Sequence, residues 1–114
     1  MAERLDQAML AELRALMEDD FPTLLEAYLA DSERRLLEAS DAWAAGDFDA
    51  LRRSVHSLKG ASSNLGATEL AGRCQTLEHL ARDQVADGVP EALDAVTAEL
   101  REVQAALRSV RATC

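Results

Sequence analysis

The 114-residue sequence predicts an all-α fold: an antiparallel four-helix bundle with a short additional N-terminal helix. Three features lead there. Hydrophobic residues make up 48% of the chain, mostly Ala, Leu and Val, and aromatics only 4%, the palette of helix-on-helix packing. Apolar residues recur at spacings of three and four, and no segment alternates with period two as a half-buried strand would. Asp, Pro and Gly stand where helices begin and end.

Asp6 is placed to cap a first short helix carrying Met9, Leu13 and Leu16. Asp20 then precedes Phe21-Pro22, and Pro suits a first helical turn, where its missing N–H is not needed. The second helix carries Phe21, Leu25, Tyr28, Ser32, Leu36, Ala39 and Trp43 on one stripe and ends at Ala45-Gly46, with Gly in the left-handed terminal position. Asp47 caps a third helix with Phe48, Leu51, Val55, Leu58, Ser62 and Leu65 along one side, and Gly66 closes it. Thr68 is expected to cap a fourth, with Leu70, Cys74, Leu77 and Ala81 inward. A loop near Val85–Val89 leads to Pro90 and a last helix carrying Leu93, Val96, Leu100, Val103, Leu107 and Val110. Four long amphipathic helices with short connections pack antiparallel, and the short first helix is expected to lie across one end.

The whole chain, residues 1–114, reads as one domain, long enough to bury a core without disulfide or metal staples. Its formal net charge of −9 argues against nucleic acid or an anionic membrane as partner, since both need a positive face. No apolar run has transmembrane length, and the start MAERLDQAML lacks a signal-peptide layout. A cytoplasmic monomer is the expectation, and Met1 with the capped ends suggests a free-standing domain. Cys74 lies on an apolar stripe and Cys114 is the last residue, so no intramolecular bridge is expected.

Within SVHSLKGASSNLGA stand one of two histidines, His56, and the chain's single lysine, Lys59, against eleven arginines elsewhere. At about 100° per residue from Leu51, the apolar stripe stays within about 40°. His56 falls near 140°, Arg52 near 100°, Ser63 near 120°, Lys59 near 80° and Gly60 near 180°. These five therefore form a surface patch beside the core. Gly60 costs about 1 kcal/mol relative to Ala inside a helix. Its compensation would be open space one turn from the imidazole, where another protein's backbone can approach.

An imidazole in water is largely neutral near pH 7 and keeps a nucleophilic lone pair. Metal binding is disfavoured: His79 lies out of reach, and Arg and Lys, not carboxylates, surround His56 on its helix. A hydrolytic triad is weaker still, with no Gly-x-Ser-x-Gly elbow. Phosphoryl transfer fits best, because Lys59 and Arg52 can balance the charge of a phosphohistidine.

The run His56-Ser57-Leu58-Lys59-Gly60-Ala61-Ser62-Ser63-Asn64-Leu65-Gly66-Ala67 resembles the signature of histidine-containing phosphotransfer (HPt) domains, the shuttles of multistep phosphorelays. The likeness extends through Phe21, Leu25, Tyr28-Leu29, Ala45-Gly46-Asp47, Cys74 and Leu77-Glu78, over roughly residues 5–110. It implies that His56 accepts a phosphoryl group from a receiver-domain aspartyl phosphate and hands it to the Asp of another receiver. The receivers would belong to a hybrid sensor histidine kinase and a response regulator. Lys59 would steady the phosphoryl group and Gly60 keep the docking surface open, with Arg52, Ser63, Glu78 and Arg82 beside them. Glu78 departs from relatives that carry Gln there, and a carboxylate repels phosphate unless Arg82 or Lys59 offsets it. The resemblance implies no cofactor here; Mg²⁺ would sit in the receiver's acidic pocket. It also implies a transfer protein rather than a kinase, and no Gly-rich nucleotide loop is present.

From Ala50 to Arg82 five cations face two carboxylates, Glu69 and Glu78, a local +3 on an acidic chain. A positive face of this kind would steer an acidic partner. A histidine-kinase dimerisation module fits poorly, since Ser57 rather than an acid follows His56 and no Pro occurs between there and Pro90. The alternative from another class is a non-phosphorylated helical adaptor that binds receivers. His79 reads as a solvated surface residue, and Tyr28 and Trp43 as core.

Overall fold

The computed structural model describes residues 4–114. Among them run five α-helices: α1 Gln7–Met17, α2 Phe21–Ala44, α3 Phe48–Asn64, α4 Thr68–Arg82 and α5 Val89–Ala112. One 3₁₀ turn, Glu18–Asp20, joins α1 to α2. Helices α2 to α5 close an antiparallel four-helix bundle, α2 packing on α3 and α5, and α4 on the same two. No helix of the described residues is long and apolar enough to cross a membrane.

The stripes on α2 to α5 point inward as their spacing requires. Phe21, Leu25, Leu51, Leu58, Leu70, Leu77, Leu100 and Leu107 are all fully buried, each contributing about 1.5–3 kcal/mol relative to exposure. Trp43 differs: it is half-buried and meets Phe48 edge-to-face, with ring centroids 6.2 Å apart, while Ala42 takes the buried place beside it. Two polar links cross the core. Tyr28 and Ser62 join their hydroxyls at 2.9 Å between α2 and α3, and burial pushes the Tyr28 phenol up to about 12. Gln104 of α5 donates to Ser32 Oγ (3.2 Å) and Glu33 Oε1 (3.2 Å) of α2.

Helix ends follow the punctuation with one exception. Asp6 Oδ1 accepts from Met9 N at 3.1 Å and Asp47 Oδ1 from Ala50 N at 3.0 Å, while Gly46 and Gly66 take φ of 71° and 77°. Thr68 is not the cap of α4 but its first residue, and Ala67 occupies the cap position. Ala67 is fully buried, so the chain enters the core before the helix starts. Its own N–H donates to Ser62 O at 3.0 Å, and no cap side chain accepts from the first turn of α4.

Helix α1 lies at the end where α2 and α4 begin and α3 and α5 finish, held by the Asp6 N–H to Gly66 O bond of 2.8 Å. Its expected stripe is displaced by one residue. Leu10 is buried and Leu13 and Met17 are half-buried, whereas Met9 and Leu16 are exposed. The segment offers two overlapping three-four patterns, and the anchor at Gly66, with Leu5 buried ahead of the helix, selects the second. Cys74 is buried and Cys114 exposed, both as free thiols.

Candidate functional site

Because Leu51, Val55, Leu58 and Ser62 fix the inner side of α3, the opposite side must face solvent. His56 stands there with its side chain 61% exposed. Gly60 and Ser63 are exposed too, and Lys59 and Arg52 half-buried at the flank.

The decisive neighbour comes from α4. Leu70, Cys74, Leu77 and Ala81 turn into the core, which sets Glu78 at the seam with α3, its side chain only 14% exposed. One carboxylate oxygen lies 2.7 Å from His56 Nδ1 and the other 2.6 Å from Lys59 Nζ. Burial pushes the carboxyl up, but the hydrogen bonds from Lys59 and His56 outweigh it and hold the group below the usual carboxylate range. An ionised carboxylate only accepts hydrogen bonds, so the hydrogen of the short contact sits on Nδ1. Nε2 then carries the ring's free lone pair, and no hydrogen bond among the described residues engages it.

His56, Lys59 and Glu78 are therefore brought together. Arg52, Ser63 and Arg82 are not hydrogen-bonded to any of them: Arg52 pairs with Asp49 at 3.1 Å, and Arg82 with Asp83 at 3.0 and 3.3 Å. Of the two residues expected to offset Glu78, Lys59 does so directly. Arg82 is turned to its neighbour.

The local +3 does not stand as a free positive face. The counted stretch stops one residue short of Asp49 and Asp83, and both are ion-paired in the structure. Asp49 takes Arg52 and Arg53, Asp83 takes Arg82, Glu69 takes Arg73, and Glu78 takes Lys59. The arginine pairs are exposed, and such pairs are worth little and re-form easily, so the arginines remain available to a partner that offers better acceptors.

A Cβ built on Gly60 meets nothing within 4 Å. No packing inside the chain demands glycine there. The same holds for Gly72 on α4, so open space alone marks no site; Gly60 is distinguished by lying one turn from His56. His79 is exposed.

Two surface hollows flank α3 on its α2 side, and neither is legible from one helix alone. A hollow of about 690 Å³ carries Arg35, Glu38, Asp41, Arg52, Arg53 and the edge of His56. A groove of about 680 Å³ between α1, α2 and α3 is lined by Leu13, Met17, Leu24, Ala27 and Ala61, with Asn64 at its edge. Of Leu13, Met17 and Leu24, only Leu13 stood on a stripe read from the sequence; the groove exists only once α1 is packed against α2 and α3.

The sequence matches the family model described as the Hpt domain over residues 23–106. Histidine-containing phosphotransfer protein B from Pseudomonas aeruginosa PAO1 is 39% identical, and its crystal structure aligns with a TM-score of 0.96 over 100% of this chain and 99% of that one. The histidine-containing phosphotransfer protein ZmHP2 from maize is 26% identical, with a TM-score of 0.79 over 93% of this chain and 81% of that one. No curated protein matches the sequence.

Proposed function

The chain belongs to the Hpt domain family, and so to the phosphotransfer proteins of phosphorelays; on that premise we propose that His56 is its phosphorylated residue. In this reading His56 takes a phosphoryl group from the aspartyl phosphate of one receiver domain, that of a hybrid sensor kinase, and passes it to the Asp of a response-regulator receiver. The observation that carries it is the 2.7 Å contact of Nδ1 with Glu78 on an otherwise exposed ring. It leaves Nε2 as the one nitrogen with a lone pair aimed outward.

The Nε2 lone pair attacks phosphorus while the P–O bond to the aspartyl carboxylate breaks, and the carboxylate leaves with the bonding electrons. Lys59, within reach of the ring through their shared carboxylate, supplies positive charge to the arriving phosphoryl oxygens. Mg²⁺ is assigned to the acidic pocket of the receiver. The receiver docks over the α2–α3 face, its backbone passing Gly60 and an apolar side chain entering the groove at Leu13, Met17 and Leu24. The protein acts as a monomer, one receiver at a time.

Incubation with a phosphorylated receiver, followed by intact-mass measurement, tests the reading. One acid-labile, base-stable phosphoryl group is expected on the parent chain and none on His56→Gln, which retains the fold because the position is exposed. Label persisting on His56→Gln would move the site, with His79 the next candidate. Receiver binding without any label on the parent would leave the adaptor function instead.

A further inference from the structure

Glu78 does more chemistry in this geometry than balance Lys59. We propose that Glu78 is a positioning residue that keeps one proton on Nδ1 of His56 through both phosphoryl transfers, so that phospho-His56 stays in its cationic, easily cleaved form. The proposal rests on the phosphotransfer reading above and specifies how the histidine gives its phosphoryl group away.

When Nε2 bonds to phosphorus, it uses the ring's only free electron pair. If the Nδ1 proton stays, the ring becomes a phosphoimidazolium carrying one positive charge. The Glu78 oxygen 2.7 Å away is a full negative charge already hydrogen-bonded to that proton, so the new charge is formed next to its counter-ion. On transfer outward, an aspartate oxygen of the receiver attacks phosphorus, and the P–Nε2 bond breaks with its pair returning to Nε2. The leaving group is then a neutral imidazole that still holds the Nδ1 proton. No proton enters or leaves at either step. Had the proton been lost, the leaving group would be imidazolate, a far stronger base, and the P–N bond would hold.

The surrounding charges single out Glu78 for this role. On α3, Lys59 shares the same carboxylate, and Arg52 is tied to Asp49. On α4, Arg82 is tied to Asp83, and the buried Cys74 thiol is pushed up to about 12 and stays neutral. Toward α2, Arg35, Glu38 and Asp41 line the adjoining hollow without a hydrogen bond to the ring. Among the described residues, Glu78 is the one carboxylate in contact with the imidazole. A phosphoryl group on Nε2 draws Lys59 toward itself, which leaves Glu78 more fully to Nδ1.

The test uses the full chain labelled with ¹⁵N-histidine and phosphorylated by phosphoramidate, a small donor that requires no receiver. Nitrogen NMR reads the protonation of Nδ1 across pH, and intact mass reads the lifetime of the phosphoryl group. A full charge at hydrogen-bond distance shifts such an equilibrium by about tenfold or more. The parent should therefore keep its Nδ1 proton to a pH about one unit or more above that of Glu78→Gln. Near pH 8 it should also lose phosphate about tenfold faster. Glu78→Asp, which keeps the charge on a shorter arm, should lie nearer the parent. A carboxylate that only repels phosphate would change the lifetime without moving the protonation profile. That result, or equal profiles in parent and Glu78→Gln, overturns the proposal. If a phosphorylated receiver leaves His56 unlabelled while the phosphoramidate-treated chains differ as stated, the relay reading falls and the role of Glu78 stands.

Discussion

Lys59 and Glu78 are paired across the α3–α4 seam, Nζ to Oε1 at 2.6 Å. The lysine is therefore held on a short tether beside the histidine rather than sweeping the solvent. Its side chain is 28% exposed, so most of the rotamer freedom that a surface lysine would lose on meeting a phosphoryl group is lost in folding. Lys59→Ala should leave receiver affinity nearly unchanged. It should lower the equilibrium ratio of phosphorylated to free protein by about tenfold or more, since a hydrogen bond to a charged group contributes about 1.5–3 kcal/mol. Titration against a phosphorylated receiver, with affinity measured separately, checks both.

The same pair gives the fold a pH dependence. Glu78 titrates below its ordinary value of 4.5 in the folded chain, so the folded state binds its proton less readily than the unfolded state does. Its contribution to stability is fully present above about pH 4.5 and is lost as the pH falls through the depressed value. The parent should therefore have a higher urea midpoint than Glu78→Gln at neutral pH, and the gap should close on acidification. A gap that is constant from pH 7 to pH 3 would mean the ion pair contributes nothing.

The inner and outer sides of the bundle should respond very differently to truncation. Leu58 and Leu100 are buried to within 2%, and Leu→Ala at either should cost about 2–5 kcal/mol through lost transfer energy and the remaining cavity. Arg53 is 66% exposed and pairs with Asp49 at 3.4 Å, so Arg53→Ala should change stability by less than about 0.5 kcal/mol. Denaturant midpoints of the three variants decide the matter.

Gly60 separates fold from docking. Since an added Cβ meets nothing, Gly60→Ala should stabilise the isolated domain by up to about 1 kcal/mol. Gly60→Gln should keep the fold but slow transfer from any receiver by filling the space one turn from His56. Transfer by Gly60→Gln at the parental rate would place the docking surface elsewhere.

Helices α2 to α5 were legible because each carries one long apolar stripe, and the spacing alone fixes which side is buried. Placing His56, Gly60 and Ser63 outside followed from the same count. What a single helix cannot reveal is what faces it. Glu78 could be put on α4 near the motif, but its two hydrogen bonds depend on the rotation of α4 against α3. The apparent positive face failed for a related reason: Asp49 and Asp83 lie at the edges of the counted stretch and fold back onto its arginines. On α1 two phases were possible, and only the contact with Gly66, sixty residues away, separates them.

The hydroxyl pair of Tyr28 and Ser62 has a bearing on how surfaces of this kind can diversify. It lies buried between α2 and α3, and a slide or roll of α3 would leave both groups buried without partners, at about 1–3 kcal/mol each. Leucines tolerate such slippage; a matched pair of alcohols does not. The pair works as an indexing pin, fixing the height and heading of α3 from behind. The outer residues of that helix can then change to suit a new partner while the imidazole keeps its aim.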